Sequence, residues 1–219
     1  MEKEKILDAF NFRHACKEFD VEKKISEEDF KFILETGRLS PSSFGFEPWH
    51  FVVVQNKDKR EMLKESAWGA GPKLDTASHF VLCLTLRPKY MRYDSEYLDD
   101  FLRNVKKLPE NVIGMMKGFC ENFQKNDFDL NTDRAILDWT TKQSYIPLAN
   151  MITSAAMIGI DSCPMEGFKQ KETEELLGTR TFGIDIEKYS LSYMVAFGYR
   201  KNEAPQKIRR PIEEVVSWQ

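Results

Sequence analysis

The sequence predicts one domain of mixed α and β structure, in the α+β or α/β class. Its 219 residues suit one large domain better than two small ones. Three apolar, β-rich runs, at residues 50–54, 79–86 and 190–199, read as buried strands. Segments with helically spaced apolar residues separate them, and helices outnumber strands. Hydrophobic residues make up 42% and charged residues 31%, enough apolar content for a sizeable core. The net charge of −3 provides no basic field for nucleic acid.

Residues 4–12 carry apolar positions at helical spacing. Ser26, three residues ahead of Asp29, caps a second helix, with Phe30, Ile33 and Leu34 inside and Gly37 as its stop. Residues 39–48 are a Ser- and Pro-punctuated loop that delivers the chain into the first strand. Helices follow at 57–68, 94–107 and 109–125, and a long one runs from 133 to 158 with Pro147 inside. Residues 143–160 hold no charge, but Gln143, Ser144, Asn150 and Thr153 make a helix buried on nearly all sides a better reading than a membrane span. A short strand at 160–163 enters Cys163-Pro164-Met165-Glu166-Gly167-Phe168. A helix at 169–177 precedes the last strand, and residues 211–216 read as a short extended arm that packs on another subunit. No repeat or Gly/Ser linker divides the chain.

Several segments could carry chemistry. Arg13 and Lys17 are four apart, so a helical backbone there puts both cations on one face, suited to phosphate. The alternative is a solvated helix end beside Glu18 and Asp20. Residues 200–210 hold Arg200, Lys201, Lys207, Arg209 and Arg210 against Glu203 alone, which marks a local anion site or a solubilising tail. After Cys163, the turn of Pro164 and Gly167 exposes backbone N–H groups that a flat ligand can approach. Cys163 has no base near it in sequence and reads as a buried structural thiol. Gly69-Ala70-Gly71-Pro72-Lys73 is not a phosphate-binding P-loop, and no GxGxxG follows a strand, so no dedicated dinucleotide half-domain is encoded. His14, His50 and His79 lack metal-ligand spacing, so no metal site is expected. Four scattered cysteines without CxxC spacing and a charged segment at residues 1–5 imply free thiols and a cytoplasmic location.

Five boxes in register resemble the nitroreductase family of FMN-dependent, NAD(P)H-using flavoproteins. Arg13-His14-Ala15-Cys16-Lys17-Glu18-Phe19 is similar to its opening R-x-S-x-K-x-[FY] box. Ser40-Pro41-Ser42-Ser43 with Pro48-Trp49-His50-Phe51 resembles its S-P-S-S…Q-P-W-x-F segment. Lys73 precedes the second strand as the family's lysine does. Pro164-Met165-Glu166-Gly167-Phe168 and Lys207-Ile208-Arg209-Arg210-Pro211 resemble its P-x-[EG]-G-F and K-x-R-x-P boxes.

The resemblance implies an α+β nitroreductase-like fold: a central mixed or antiparallel sheet flanked by helices, in an intertwined homodimer whose arm, about 211–219, wraps the partner. It implies FMN as cofactor, with Arg13, Lys207 and Arg209 at the phosphate and His14, Ala15 and Pro164 also in contact. Lys17 and Lys73 then face the N1/O2 edge, where cations stabilise the reduced ring, and the Glu166 and Gly167 N–H groups face N5 and O4. Lys17, Lys73 and Glu166 form the implied catalytic set. Ser42 and Ser43 reach the same flavin from the other subunit. The implied reaction is ping-pong: NAD(P)H delivers hydride to N5, leaves, and a nitroaromatic, quinone or similar small flat aromatic acceptor takes its place, with Phe119, Phe123 and Phe128 as candidates to stack on it. A reductase of one metabolite, such as a pteridine or enone, and a non-catalytic flavin sensor are the alternatives. Four positions depart from the family pattern: Ala15 for Ser, Glu47 for Gln, the bulky Phe44, and Ala70 for Asn.

Overall fold

The computed structural model describes residues 2–219. Helix α1 (Lys3–Phe12) and helix α2 (Glu27–Arg38) precede strand β1 (Trp49–Val53). Short helices α3 (Lys57–Leu63) and α4 (Lys73–Thr76) lead to strand β2 (His79–Leu86). Helices α5 (Pro88–Met91), α6 (Glu96–Asp100) and α7 (Glu110–Asn122) follow, then the long α8 (Asp133–Met157). Strand β3 (Asp161–Met165), helix α9 (Gln170–Leu177) and strand β4 (Tyr189–Gly198) complete the order. The sheet runs β1-β2-β4-β3, and every neighbouring pair is antiparallel.

Strand alternation splits the core into two faces. Phe80, Leu82 and Leu84 of β2 pack with Leu63, Leu74, Cys163 and Met194 on one side. Val81 and Cys83 pack with Phe30 and Ile33 of α2 and Met151 and Ala155 of α8 on the other. A third cluster, including Phe46, Met91, Ile113 and Trp139, lies under α5–α8.

Local chemistry sets several boundaries. Ser26 caps α2, its hydroxyl accepting from the Asp29 N–H at 3.0 Å, and Thr132 caps α8 in the same way. Gly37 does not stop α2. The helix runs on to Arg38, and Gly37 serves as a packing notch where a Cβ would lie 2.8 Å from Met151 Sδ. Helix α3 ends at Leu63 rather than near residue 68 and continues as turns. Helices α6 and α7 each end in a wider π turn, at Phe101–Val105 and Phe123–Asp127. Strand β3 runs through Pro164, which an outermost strand tolerates. Strand β1 is only half-buried because it is the opposite edge. Nor is α8 buried on nearly all sides: Ala149 and Met157 are exposed, with Ile146, Asn150 and Thr153 half-buried on the same face. Residues 211–216 contain a 3₁₀ turn, Ile212–Glu214, instead of an extended arm. No helix among the described residues is long and apolar enough to cross a membrane.

His79 ties this fold to pH. Its ring stacks on Phe30 at 3.8 Å, and Nδ1 lies 3.1 Å from the Ser78 hydroxyl. Burial, then the Arg60 and Lys24 charges, push its pKa down to about 4 from the ordinary 6.5. Between those values the unfolded chain binds a proton that the folded chain does not, so stability falls as pH drops through that window and levels off below it. His14 and His50 are shifted in the same direction. His79→Gln is therefore expected to reduce the slope of urea midpoint against pH between about 6.5 and 4. An undiminished slope would assign the acid sensitivity to other groups.

Candidate functional site

After α1 the backbone leaves the helix at Arg13, with φ −64° and ψ 123°. The Arg13–Lys17 segment is thus extended, and the two cations do not share a helical face. A long-range contact overrides the local pattern: Ala15 bridges Ser162 in parallel, and the Cys16 N–H donates to the Ser162 carbonyl at 3.1 Å. The segment therefore flanks the outer edge of β3.

A buried ion pair fixes this arrangement. Asp161 is 3% exposed, lies 2.7 Å from Arg200 Nη2 and accepts from Arg200 Nε at 2.9 Å and the Arg200 backbone N–H at 2.9 Å. Arg200 also donates to the Phe12 carbonyl at 3.1 Å and lies 4.1 Å over the Phe12 ring. His14 Nδ1 sits 3.4 Å from Asp161 without a hydrogen bond. Burial and the Arg200 charge lower the His14 pKa, so the ring is neutral at pH 7 and the contact is not an ion pair.

The tail returns alongside this segment. Arg13, Lys207 and Arg209 line a cleft of about 240 Å³ together with His14 and Ala15, and no acid lines it. Lys207 Nζ donates to the Phe10 carbonyl at 2.5 Å and to the Arg13 carbonyl. Burial, then the Arg13 and Arg209 charges, lower its pKa. Arg209 reaches only the neighbouring Ile208 carbonyl, at 2.7 Å. A second cleft of about 430 Å³ shares His14, Ala15 and Pro205 with the first and adds Lys17, together with Glu18 and Glu203.

Lys73 opens α4 and is 7% exposed, yet its ammonium has no hydrogen bond or ion pair among the described residues. The charges of Lys73, Lys17 and Arg13 all bear on the buried Cys163 thiol, so two segments, Arg13–Lys17 and α4, bring cations towards β3. Burial nevertheless raises the Cys163 pKa, which rules against a thiolate nucleophile.

Beyond Pro164, the turn at Glu166 and Gly167 is latched to the chain before α4. The Gly69 N–H donates to the Gly167 carbonyl at 2.6 Å, and a Cβ on either glycine would lie 2.7 Å from the other's Cα. Among the described residues the Glu166 and Gly167 N–H groups meet no acceptor. Tyr145 of α8 donates its hydroxyl to the Glu166 carboxylate. Trp68 is 73% exposed and closes on Gly167 from the side.

Ser42 and Ser43 are not brought to these groups. The Ser42 hydroxyl accepts from the Glu47 N–H at 2.9 Å, and the Ser43 N–H donates to Gln143 at 2.8 Å. Their loop enters β1, three strand spacings from β3, or roughly 14 Å. Glu47 pairs with Lys106, which offsets the charge it adds there. Phe44, at φ 55°, stacks on Phe46 at 5.4 Å. Phe119 and Phe128 are exposed, whereas Phe123 packs against Trp139.

Tyr145, Trp68 and the Asp161–Arg200 pair are absent from the residues singled out above as site residues. Arg200 is a cation of the basic tail, but its charge is spent on Asp161. An acid opening a buried strand was the available signal. Among the described residues no group of His, Cys, Asp and Glu could hold a metal ion. The acid-free cleft of Arg13, Lys207 and Arg209 fits a phosphorylated anion, and the glycine turn offers N–H donors to acceptor atoms on a flat ring.

The family model "Nitroreductase family" matches residues 11–199. A protein of Staphylococcus haemolyticus, provisionally named an NAD(P)H nitroreductase, is 53% identical over 215 residues, covering 98% of this chain and 97% of its own. YfkO of Bacillus subtilis, with the same provisional name, is 51% identical over 217 residues, covering 99% and 98%. The crystal structure of an Exiguobacterium sibiricum protein, described provisionally as a nitroreductase and solved in complex with FMN, superposes with a TM-score of 0.76 at 20% identity, covering 100% of this chain and 98% of that one. The shared fold, the family match over most of the chain and identity above one half with full-length relatives together place this protein in the nitroreductase family.

Proposed function

We propose that this protein is an FMN-dependent NAD(P)H oxidoreductase that reduces nitroaromatics, quinones or similar flat acceptors. The observation that carries the reading is the acid-free cleft of Arg13, Lys207 and Arg209; Lys73 without an ion pair, and the Glu166 and Gly167 N–H groups without a protein acceptor among the described residues, support it. In this reading the three cleft cations bind the phosphate. Lys17 and Lys73 place positive charge where the reduced ring gathers negative charge, and the glycine turn donates to its acceptors. His14, Ala15 and Pro164 supply surface against the cofactor. FMN supplies two-electron transfer between NAD(P)H and the acceptor in alternation. One pocket then serves donor and acceptor in turn. Tyr145 holds the Glu166 carboxylate at this turn.

The reading includes a homodimer of one-domain chains. The sheet puts the Ser42–Ser43 loop at one edge and the Arg13–Lys17 segment at the other, which supports a second copy bringing the serines in. The exposed face of α8 and the apolar tail residues Ile208, Ile212, Val215 and Trp218 are the surfaces offered to it. Buried free thiols suit a reducing cytoplasm.

The test is spectroscopic. Purified protein should be yellow, bleach on anaerobic NADH or NADPH, and regain colour with a nitroaromatic or quinone. A colourless protein that takes up no FMN refutes the reading, and a yellow protein inert to both nucleotides would be a flavin-binding module without turnover. Arg13→Ala should weaken FMN binding by about 1.5–3 kcal/mol, the scale of a charge-assisted hydrogen bond. Wild-type affinity by fluorescence titration would move the phosphate elsewhere.

A further inference from the structure

Arg60 of α3 is 7% exposed and has no carboxylate partner among the described residues. A buried charge of this kind is costly unless every donor is used. Its donors are used on backbone carbonyls: Nε on Val54 at 2.7 Å, Nη1 on Ala77 at 2.8 Å and Leu74 at 3.3 Å, and Nη2 on Ser78 at 3.3 Å. Nη2 also donates to the Gln55 side chain at 2.5 Å. Leu74 and the C-cap residue Ala77 carry α4 carbonyls beyond its one internal bond, from the Ala77 N–H to the Lys73 carbonyl, and Lys73 is the first residue of that helix.

Helix α4 has only four residues. A helix that short does not hold itself in water, because nucleation costs more than one turn returns. Its last carbonyls lack partners within the helix and favour a cation. The exposed Lys64–Asp75 pair also touches α4, at 2.7 Å, but such a pair contributes little. Alongside the core packing of Leu74 and the Phe19 N–H bond to Thr76 Oγ1 at 3.2 Å, Arg60 is therefore the buried polar tie from α4 to the end of β1 and the start of β2.

We propose that Arg60 is the positioning residue for Lys73: by binding the terminal carbonyls of α4, it fixes the unpaired ammonium in the candidate flavin site. The proposal rests on reading Lys73 as a flavin-facing cation. A positioned cation stabilises the reduced ring more than the oxidised one, so its loss moves the midpoint potential. A merely structural defect weakens both forms alike and leaves the potential in place.

The test uses FMN-loaded protein and compares Arg60→Lys, Lys73→Met, the double variant, and Lys64→Ala as a control. Arg60→Lys keeps the charge and much of the stem but cannot span the same carbonyls. Lys73→Met is expected to lower the flavin potential, Arg60→Lys to lower it in the same direction, and the double variant to match Lys73→Met alone. Lys64→Ala should leave it unchanged. Flavin reduction by NADH in Arg60→Lys should slow by up to about 100-fold, the cost of a misplacement near 1 Å. Amide exchange at residues 74–77 should accelerate, which reads the loosened helix without any flavin. A wild-type potential in Arg60→Lys with a lowered one in Lys73→Met overturns the positioning role and leaves the proposed function intact. So does a double variant whose shift is the sum of the two. A wild-type potential in Lys73→Met removes the role of Lys73 and the positioning proposal with it, while yellow colour and bleaching still judge the wider reading.

Discussion

Asp161→Asn is expected to be the most destabilising single polar substitution in the protein, at about 3 kcal/mol in urea unfolding. Removing one member of a buried pair leaves the other charged and desolvated, which costs about 3–5 kcal/mol. The Arg200 side chain is 19% exposed, so water relieves part of this and the lower end applies. The effect should extend to the candidate site, because the pair holds Arg200 against the Phe12 carbonyl just ahead of Arg13. Anion affinity should therefore fall along with stability. Adding Arg200→Met should recover part of the loss, since no unpaired charge then remains. Strict additivity of the two substitutions would show that the pair does not act as a unit.

Gly167→Ala should cost about 2–4 kcal/mol and abolish ligand binding at the turn. The added Cβ would lie 2.7 Å from Gly69 Cα, and backbone cannot rotate away as a side chain can. Overpacking costs about 1–3 kcal/mol. Losing the 2.6 Å bond from the Gly69 N–H adds about 1 kcal/mol. Gly37→Ala is the control. Its Cβ meets the flexible end of Met151, so it should be milder. Equal thermal shifts for the two alanines would mean that the Gly69–Gly167 contact yields readily.

The same distinction between local and distant causes explains how much of the molecule was legible in the sequence. Ser26 and Thr132 act within three residues, so the helix starts they cap are set by local chemistry. The nearly unbroken apolar run of β2 announces a strand with two covered faces. The order β1-β2-β4-β3 has no such local cause, nor does the extended path at Arg13, where Ser162 imposes a bridge. Gly37 shows the limit of a propensity rule, because a glycine can serve packing as well as termination. In the site, the cationic boxes stand out because charge is visible in one dimension. Their division is not: Arg200 neutralises Asp161, while Arg13 and Lys73 stay unpaired. Tyr145 reaches Glu166 only because α8 crosses behind β3.

All four cysteines lie inside the fold. Burial raises each thiol, Cys16 to about 11 and Cys83 and Cys120 to about 12, with Cys163 shifted the same way. Alkylating reagents therefore find almost no thiolate in the native state, and labelling proceeds at the frequency with which the protein opens. The chain carries a built-in clock of its own unfolding, readable by mass at each cysteine without an added probe.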